Sequence, residues 1–129
     1  MNKTDRRESG YCRVKVEGKD LSFYGKKIKT KNKNFWVYAA NPGKIKKPSN
    51  SHPIVQSYVD LFIGGCFQIK ERYKINEFPK QCVETTTEWS KYWVNDRVHA
   101  RRPFLVPNFY KIDKLLSNYF DYYLENKYQ

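Results

Sequence analysis

Long apolar runs are missing from this chain. No stretch approaches the roughly 20 residues that a membrane-spanning helix needs. The first ten residues, MNKTDRRESG, are polar and charged with no apolar segment behind them, so no secretory signal is expected. Cysteine is scarce: Cys12, Cys66 and Cys82 make an odd count at wide spacing. That spacing argues for free thiols in a reducing, intracellular setting, cytoplasmic or nuclear, rather than a disulfide framework. No CxxC or HxxxH pair is present, so no structural zinc site is expected. Ser-His-Asp, Cys-His, Walker and Gly-rich dinucleotide patterns are also missing, which leaves no catalytic residue, cofactor or metal to assign. Alanine occurs only three times, against 18 Lys, 10 Asn and 7 Arg. The genetic code favours that usage in AT-rich genomes, among them those of many phages, viruses, low-GC bacteria and some parasites.

What is present is positive charge and aromatic surface. The 129 residues hold 25 Lys+Arg against 13 Asp+Glu, a formal net charge of +12. Leu, Ile, Val and Phe make up about 23% of the chain, only just enough for a folded domain. Eleven Tyr and three Trp extend that supply, because each ring buries a large area. The length suits one domain with a modest, aromatic-rich core.

The charge is uneven. Residues 1–50 carry 14 Lys/Arg and 4 Asp/Glu, whereas residues 51–129 carry 11 and 9. A one-sided positive field attracts polyanions, which here means nucleic acid, an anionic membrane surface or an acidic protein.

Tyr11 to Glu17 alternates, with Cys12, Val14 and Val16 on one side and Tyr11, Arg13, Lys15 and Glu17 on the other, which predicts a half-buried strand. A second strand is expected from Leu21 to Tyr24, extending towards Ile28, with a hairpin tip at Lys31–Asn34 and a third strand over Phe35–Ala40. A polar loop, NPGKIKKPSNSH, precedes a helix over about 53–63, capped by Ser51 and stopped by Gly64-Gly65. Cys66–Ile75, Cys82–Val94 and Val98–Val106 read as further strands, the last at a sheet edge because of Pro103. Ile112, Leu115, Leu116, Tyr119, Phe120, Tyr123 and Leu124 form one apolar stripe on a helix over about 109–127, with Asp113, Lys114, Asp121 and Glu125 on a solvated face. The expected fold is α+β: a mostly antiparallel sheet of five or six strands, the central helix and the C-terminal amphipathic helix. Residues 1–10 form a flexible basic arm, and 11–129 a single domain. The edge strand and the apolar helix leave a homodimer open.

Two constellations suit nucleic acid. Lys26, Lys27, Lys29, Lys31, Lys33, Lys44, Lys46 and Lys47 flank a strand on which Trp36 and Tyr38 share a side. Bases can stack on such rings while ammonium groups follow the phosphates. Arg97, His99, Arg101 and Arg102 form a second basic group, able to grip phosphates if strand-borne. His99 could then act in phosphodiester cleavage, whereas His52 is an isolated loop residue. The order Asp60, Gln68-x-Lys70, Glu71 loosely resembles the acid-x-lysine arrangement of some magnesium nucleases, with a glutamine where an acid is needed. The expectation is a small, non-enzymatic nucleic-acid-binding protein. The alternative is an interaction module, such as a viral or phage-encoded regulator or inhibitor, docking on an acidic partner protein.

Overall fold

The computed structural model describes residues 3–25, 29–101 and 106–125. The chain divides into two compact units, Met1–Lys46 and Lys47–Gln129. The fold is α+β, but the expected sheet of five or six strands is absent among the described residues. Two sheets of two strands each take its place.

The first unit begins with a short helix, α1 (Lys3–Arg7), within the stretch expected to be a flexible arm. Strands β1 (Tyr11–Val16) and β2 (Phe35–Ala40) follow, paired antiparallel in a register that runs from Tyr11↔Ala40 to Val16↔Phe35. Both strands lie where the sequence predicted them, but β1, expected to be half-buried, is exposed at every position except Val16. The middle strand of the expected meander does not form among the described residues: Leu21–Gly25 is irregular, and residues 26–28 lie outside them. Gly25 takes a φ of +83°, which breaks extended backbone at that point. The tip behaves as its sequence suggests, with Asn32 at φ 64° in the left-handed region.

The second unit holds the core. A two-residue strand, β3 (Ile54–Val55), pairs in parallel with β4 (Trp93–Val94). Helix α2 (Gln56–Tyr73) leaves β3 directly and runs through Gly64-Gly65, the expected stop, for 18 residues. Each interior glycine costs about 1 kcal/mol relative to alanine. Burial of Val59, Ile63 and Cys66 on the inner face outweighs that cost. Gly64 is also required by packing, because a β-carbon there would sit 2.9 Å from Val106 Cγ1. The helix ends at Lys74, whose φ of 59° is left-handed.

The strand expected over Cys66–Ile75 is therefore helix as far as Tyr73, and the one expected over Cys82–Val94 is helix to Thr85, irregular over 86–92 and strand only at Trp93–Val94. Helix α3 (Phe78–Thr85) returns along α2, with Pro79 suited to its first turn. Cys66 on α2 and Cys82 on α3 form a disulfide, their α-carbons 6.8 Å apart. This replaces the free-thiol reading for these two residues, while Cys12 remains a free, exposed thiol, and it removes the support that reading gave to a reducing interior. The helical hairpin closes a separation of 16 residues that looks wide on paper. In place of the edge strand expected from Val98, a 3-10 turn spans Arg97–His99. Pro103 lies outside the described residues.

The single C-terminal helix resolves into α4 (Phe109–Ser117) and α5 (Asp121–Glu125), broken at Asn118–Phe120. The apolar stripe survives the break. Ile112, Leu116 and Tyr123 join Val59, Ile63 and Val83 in the buried cluster, with Trp89, Trp93, Tyr119 and Phe120 packed against it. Trp89 stacks on Trp93 with centroids 5.7 Å apart, while Phe120 and Tyr123 each approach one of these rings at 5.3 Å. The core is small and aromatic-rich, as the composition implied.

Candidate nucleic-acid interface

The β1–β2 ribbon places two kinds of side chain on opposite faces. The register sets Lys15 across from Trp36 and Arg13 across from Tyr38. One face therefore carries Tyr11, Arg13, Lys15, Trp36 and Tyr38, and the other Cys12, Val14, Val16, Phe35, Val37 and Ala39. Trp36 is 48% exposed, whereas Tyr38 is half-buried. The Arg13 guanidinium lies over the Trp36 ring, 4.4 Å from its centroid. That is close enough for the ring quadrupole to hold the cation in place. Lys15 reaches Glu17 at 3.8 Å, an exposed pair of little energetic weight.

The lysines cluster at the two ends of the ribbon. Lys29, Lys31 and Lys33 are exposed on the connection that leads into Phe35, next to the Lys15–Trp36 end. Lys44, in the 3-10 turn Pro42–Lys44, and Lys46 are exposed beyond Ala40, at the other end. Lys26 and Lys27 lie outside the described residues. Lys47 belongs to the second unit, where it pairs with Glu88 at 3.6 Å.

The second basic constellation is not one surface. His99 and Arg101 are exposed, and Arg102 lies outside the described residues. Arg97 turns inward. Its Nε and Nη2 donate to Asp60 at 2.7 Å each, and its Nη1 and Nη2 donate to Asp113 at 3.1 and 2.8 Å. The guanidinium is thus held bidentately twice, and it also lies 4.8 Å from the Phe109 ring centroid. Its side chain is 19% exposed, and those of Asp60 and Asp113 are 8% and 7% exposed. Burial disfavours the Arg97 charge, but its hydrogen bonds to both carboxylates outweigh burial and hold it firmly protonated. Asp113, expected on a solvated face, is a buried member of this network.

The network extends further. Tyr123 donates its hydroxyl to Asp113 Oδ1 at 2.7 Å, and burial followed by that bond pushes its ionisation well above the usual range. Gln56 donates from Nε2 to Asp60 and accepts from Trp93 Nε1, both at 2.8 Å. Among the described residues no buried side-chain nitrogen or oxygen lacks a partner. Asp96 caps α2 from a distance, accepting the Ser57 N–H at 2.8 Å and its hydroxyl at 2.7 Å. It also accepts the Arg101 N–H at 2.8 Å. Burial raises the Asp96 carboxyl, but the bonds from Arg101 and Ser57 outweigh that and hold it below its ordinary value of 3.8.

These satisfied ion pairs do structural work. Asp60, the acid of the nuclease-like pattern, is neutralised by Arg97, and among the described residues no three His, Cys, Asp or Glu converge as metal ligands. His52, beside the α2 entry, accepts or donates to Ser51 Oγ at 3.0 Å. No helix among the described residues is long and apolar enough to cross a membrane. Comparison with protein-family models, with curated proteins and with solved structures finds no match to this chain.

Sequence reasoning placed Trp36 and Tyr38 on one face but left out Tyr11, Arg13 and Lys15. The signal was available. Both strands alternate, and antiparallel pairing puts the odd positions of β1 opposite the even positions of β2.

Proposed function

We propose that this chain is a small, non-enzymatic protein that binds single-stranded nucleic acid through the basic aromatic face of its β1–β2 ribbon. The observation that carries this reading is the exposed Arg13–Trp36 stack. A half-exposed indole beside a guanidinium offers a base a flat partner and the adjacent phosphate a cation. Lys15, Lys29, Lys31, Lys33, Lys44 and Lys46 continue the positive track towards both ends of the ribbon. His99 and Arg101 add exposed basic groups in the second unit, whereas Arg97 is spent on Asp60 and Asp113.

The test is fluorescence anisotropy with labelled single- and double-stranded DNA and RNA, across salt, with heparin as competitor. Preference for single strands is expected, with binding that survives moderate heparin. Contact with about five phosphates gives a log–log salt slope of roughly −3 to −4. Trp36→Ala should weaken binding by about 1–3 kcal/mol, the usual worth of one stacked base. It should leave the circular dichroism spectrum unchanged. Binding that ignores strand form, yields fully to heparin and is indifferent to Trp36→Ala would overturn the reading. It would turn attention to an acidic protein partner for the same surface.

A further inference from the structure

A second surface, wholly within residues 47–129, has a different chemistry. An open groove of about 440 Å³ runs between α2 and α3. That volume falls in the range of small-molecule sites. On α2, Phe62, Gly65, Ile69 and Arg72 line it at spacings of three and four, so they share one helix face. Phe78 and Cys82 line it from α3, and the Cys66–Cys82 bond ties the two walls together.

Three observations point to a ligand. Phe62 is 45% exposed, a large ring left in water beside an apolar wall. Gly65 weakens the helix interior, yet a β-carbon there would meet nothing within 4 Å. The close approach of Val106 explains Gly64 and has no counterpart at Gly65; what Gly65 does is keep the groove open. Arg72 supplies charge at the C-terminal end of the α2 wall, about 15 Å along the axis from Phe62. Its guanidinium lies 5.5 Å from the Tyr73 ring centroid, and among the described residues no carboxylate pairs with it.

We propose that this groove binds an apolar anion, a medium-length acyl carboxylate. The chain would lie along Phe62, Ile69 and Phe78, with the carboxylate at Arg72. The disulfide preorganises the site, so the walls need little ordering when the ligand enters. The proposal is independent of the nucleic-acid reading and stands or falls on different residues.

The experiment is isothermal titration calorimetry with decanoate below its micellar concentration, and with decyltrimethylammonium as the cation of equal chain length. One saturable decanoate site is expected, with the cation binding at least tenfold more weakly. Gly65→Leu puts a side chain into the groove at a position where a β-carbon meets nothing within 4 Å, and adds a better helix former. It should weaken decanoate at least tenfold while the melting temperature holds or rises. Arg72→Gln should weaken decanoate about tenfold, the usual worth of a bond to a charged group. Lys114→Gln removes the same charge from an exposed position on α4 and should change nothing. Absence of a saturable site would overturn the proposal, as would undiminished binding by Gly65→Leu. Equal losses in Arg72→Gln and Lys114→Gln would overturn it too, since only net charge would then be acting.

Discussion

Arg97 joins carboxylates from two helices, Asp60 on α2 and Asp113 on α4, and so ties both to the loop after β4. A buried pair of this kind adds little net stability over an apolar packing. Removing one partner is costly all the same, because the other charge stays buried and uncompensated. Arg97→Met leaves two carboxylates without their cation and should cost about 3–5 kcal/mol. That corresponds to a fall in melting temperature of at least roughly 10 °C. An unchanged melting temperature together with lost oligonucleotide binding would return Arg97 to the phosphate surface where the sequence put it. Nothing in the run Arg97-Val-His-Ala-Arg-Arg marks which arginine turns inward. The legible signal lay elsewhere, in Asp60 beside Val59 and Asp113 beside Ile112. A carboxylate bordering the apolar stripe of a helix calls for a buried cation.

Two shifted groups, Tyr123 in this network and Asp96 at the start of α2, predict a pH dependence for the fold. The depressed Asp96 carboxyl contributes stability that is present above its ordinary value of 3.8 and is lost as pH falls through the folded value. Tyr123 has the opposite sign. Its raised ionisation contributes stability that is full below the ordinary value of 10.0 and is lost as pH rises through the folded one. Melting temperature should therefore fall on both sides of a plateau between about 4 and 10. Asp96→Asn should flatten the acid limb and Tyr123→Phe the alkaline one. Limbs that keep their slopes in these variants would assign the pH dependence to other groups.

At the scale of elements, β1 was legible because its six residues alternate cleanly, and β2 because a short aromatic and β-branched run, FWVYAA, follows a turn signal. Helix α2 was legible only in its first half. A Gly-Gly pair is a local stop signal, and the tertiary burial of Ile63 and Cys66 that overrides it is not local. Its cap was invisible for the same reason, since Asp96 reaches Ser57 from 39 residues away. Two-residue strands such as β3 and β4 have no periodicity to read. The disulfide, too, is a product of the α2–α3 hairpin rather than of cysteine spacing. At a separation of 16 residues such a bond contributes about 3 kcal/mol, chiefly by restricting the unfolded chain. Adding a dithiol reductant should lower the melting temperature accordingly, and Cys66→Ala/Cys82→Ala should melt low with or without it. A melting temperature indifferent to reductant would show that the thiols are unpaired in solution.

Across the whole molecule, charge and core are segregated. The unit Met1–Lys46 holds 13 Lys/Arg against 4 Asp/Glu, and among the described residues every member of the buried cluster lies in Lys47–Gln129. A two-stranded ribbon is marginal by itself in water, and concentrated positive charge opposes its compactness by self-repulsion. The unit that carries the proposed interface is thus the less stable one, and a polyanion that neutralises it should stabilise it by mass action. Amide hydrogen exchange reads this directly. In the free protein, the β1 and β2 amides should exchange at least tenfold faster than those of Val59–Cys66 in α2. A saturating single-stranded oligonucleotide should slow the ribbon amides at least tenfold and leave α2 unchanged. Ribbon amides already as protected as α2 would mean that its charge is balanced within the fold. The positive excess of residues 1–50 would then be no sign of a partner.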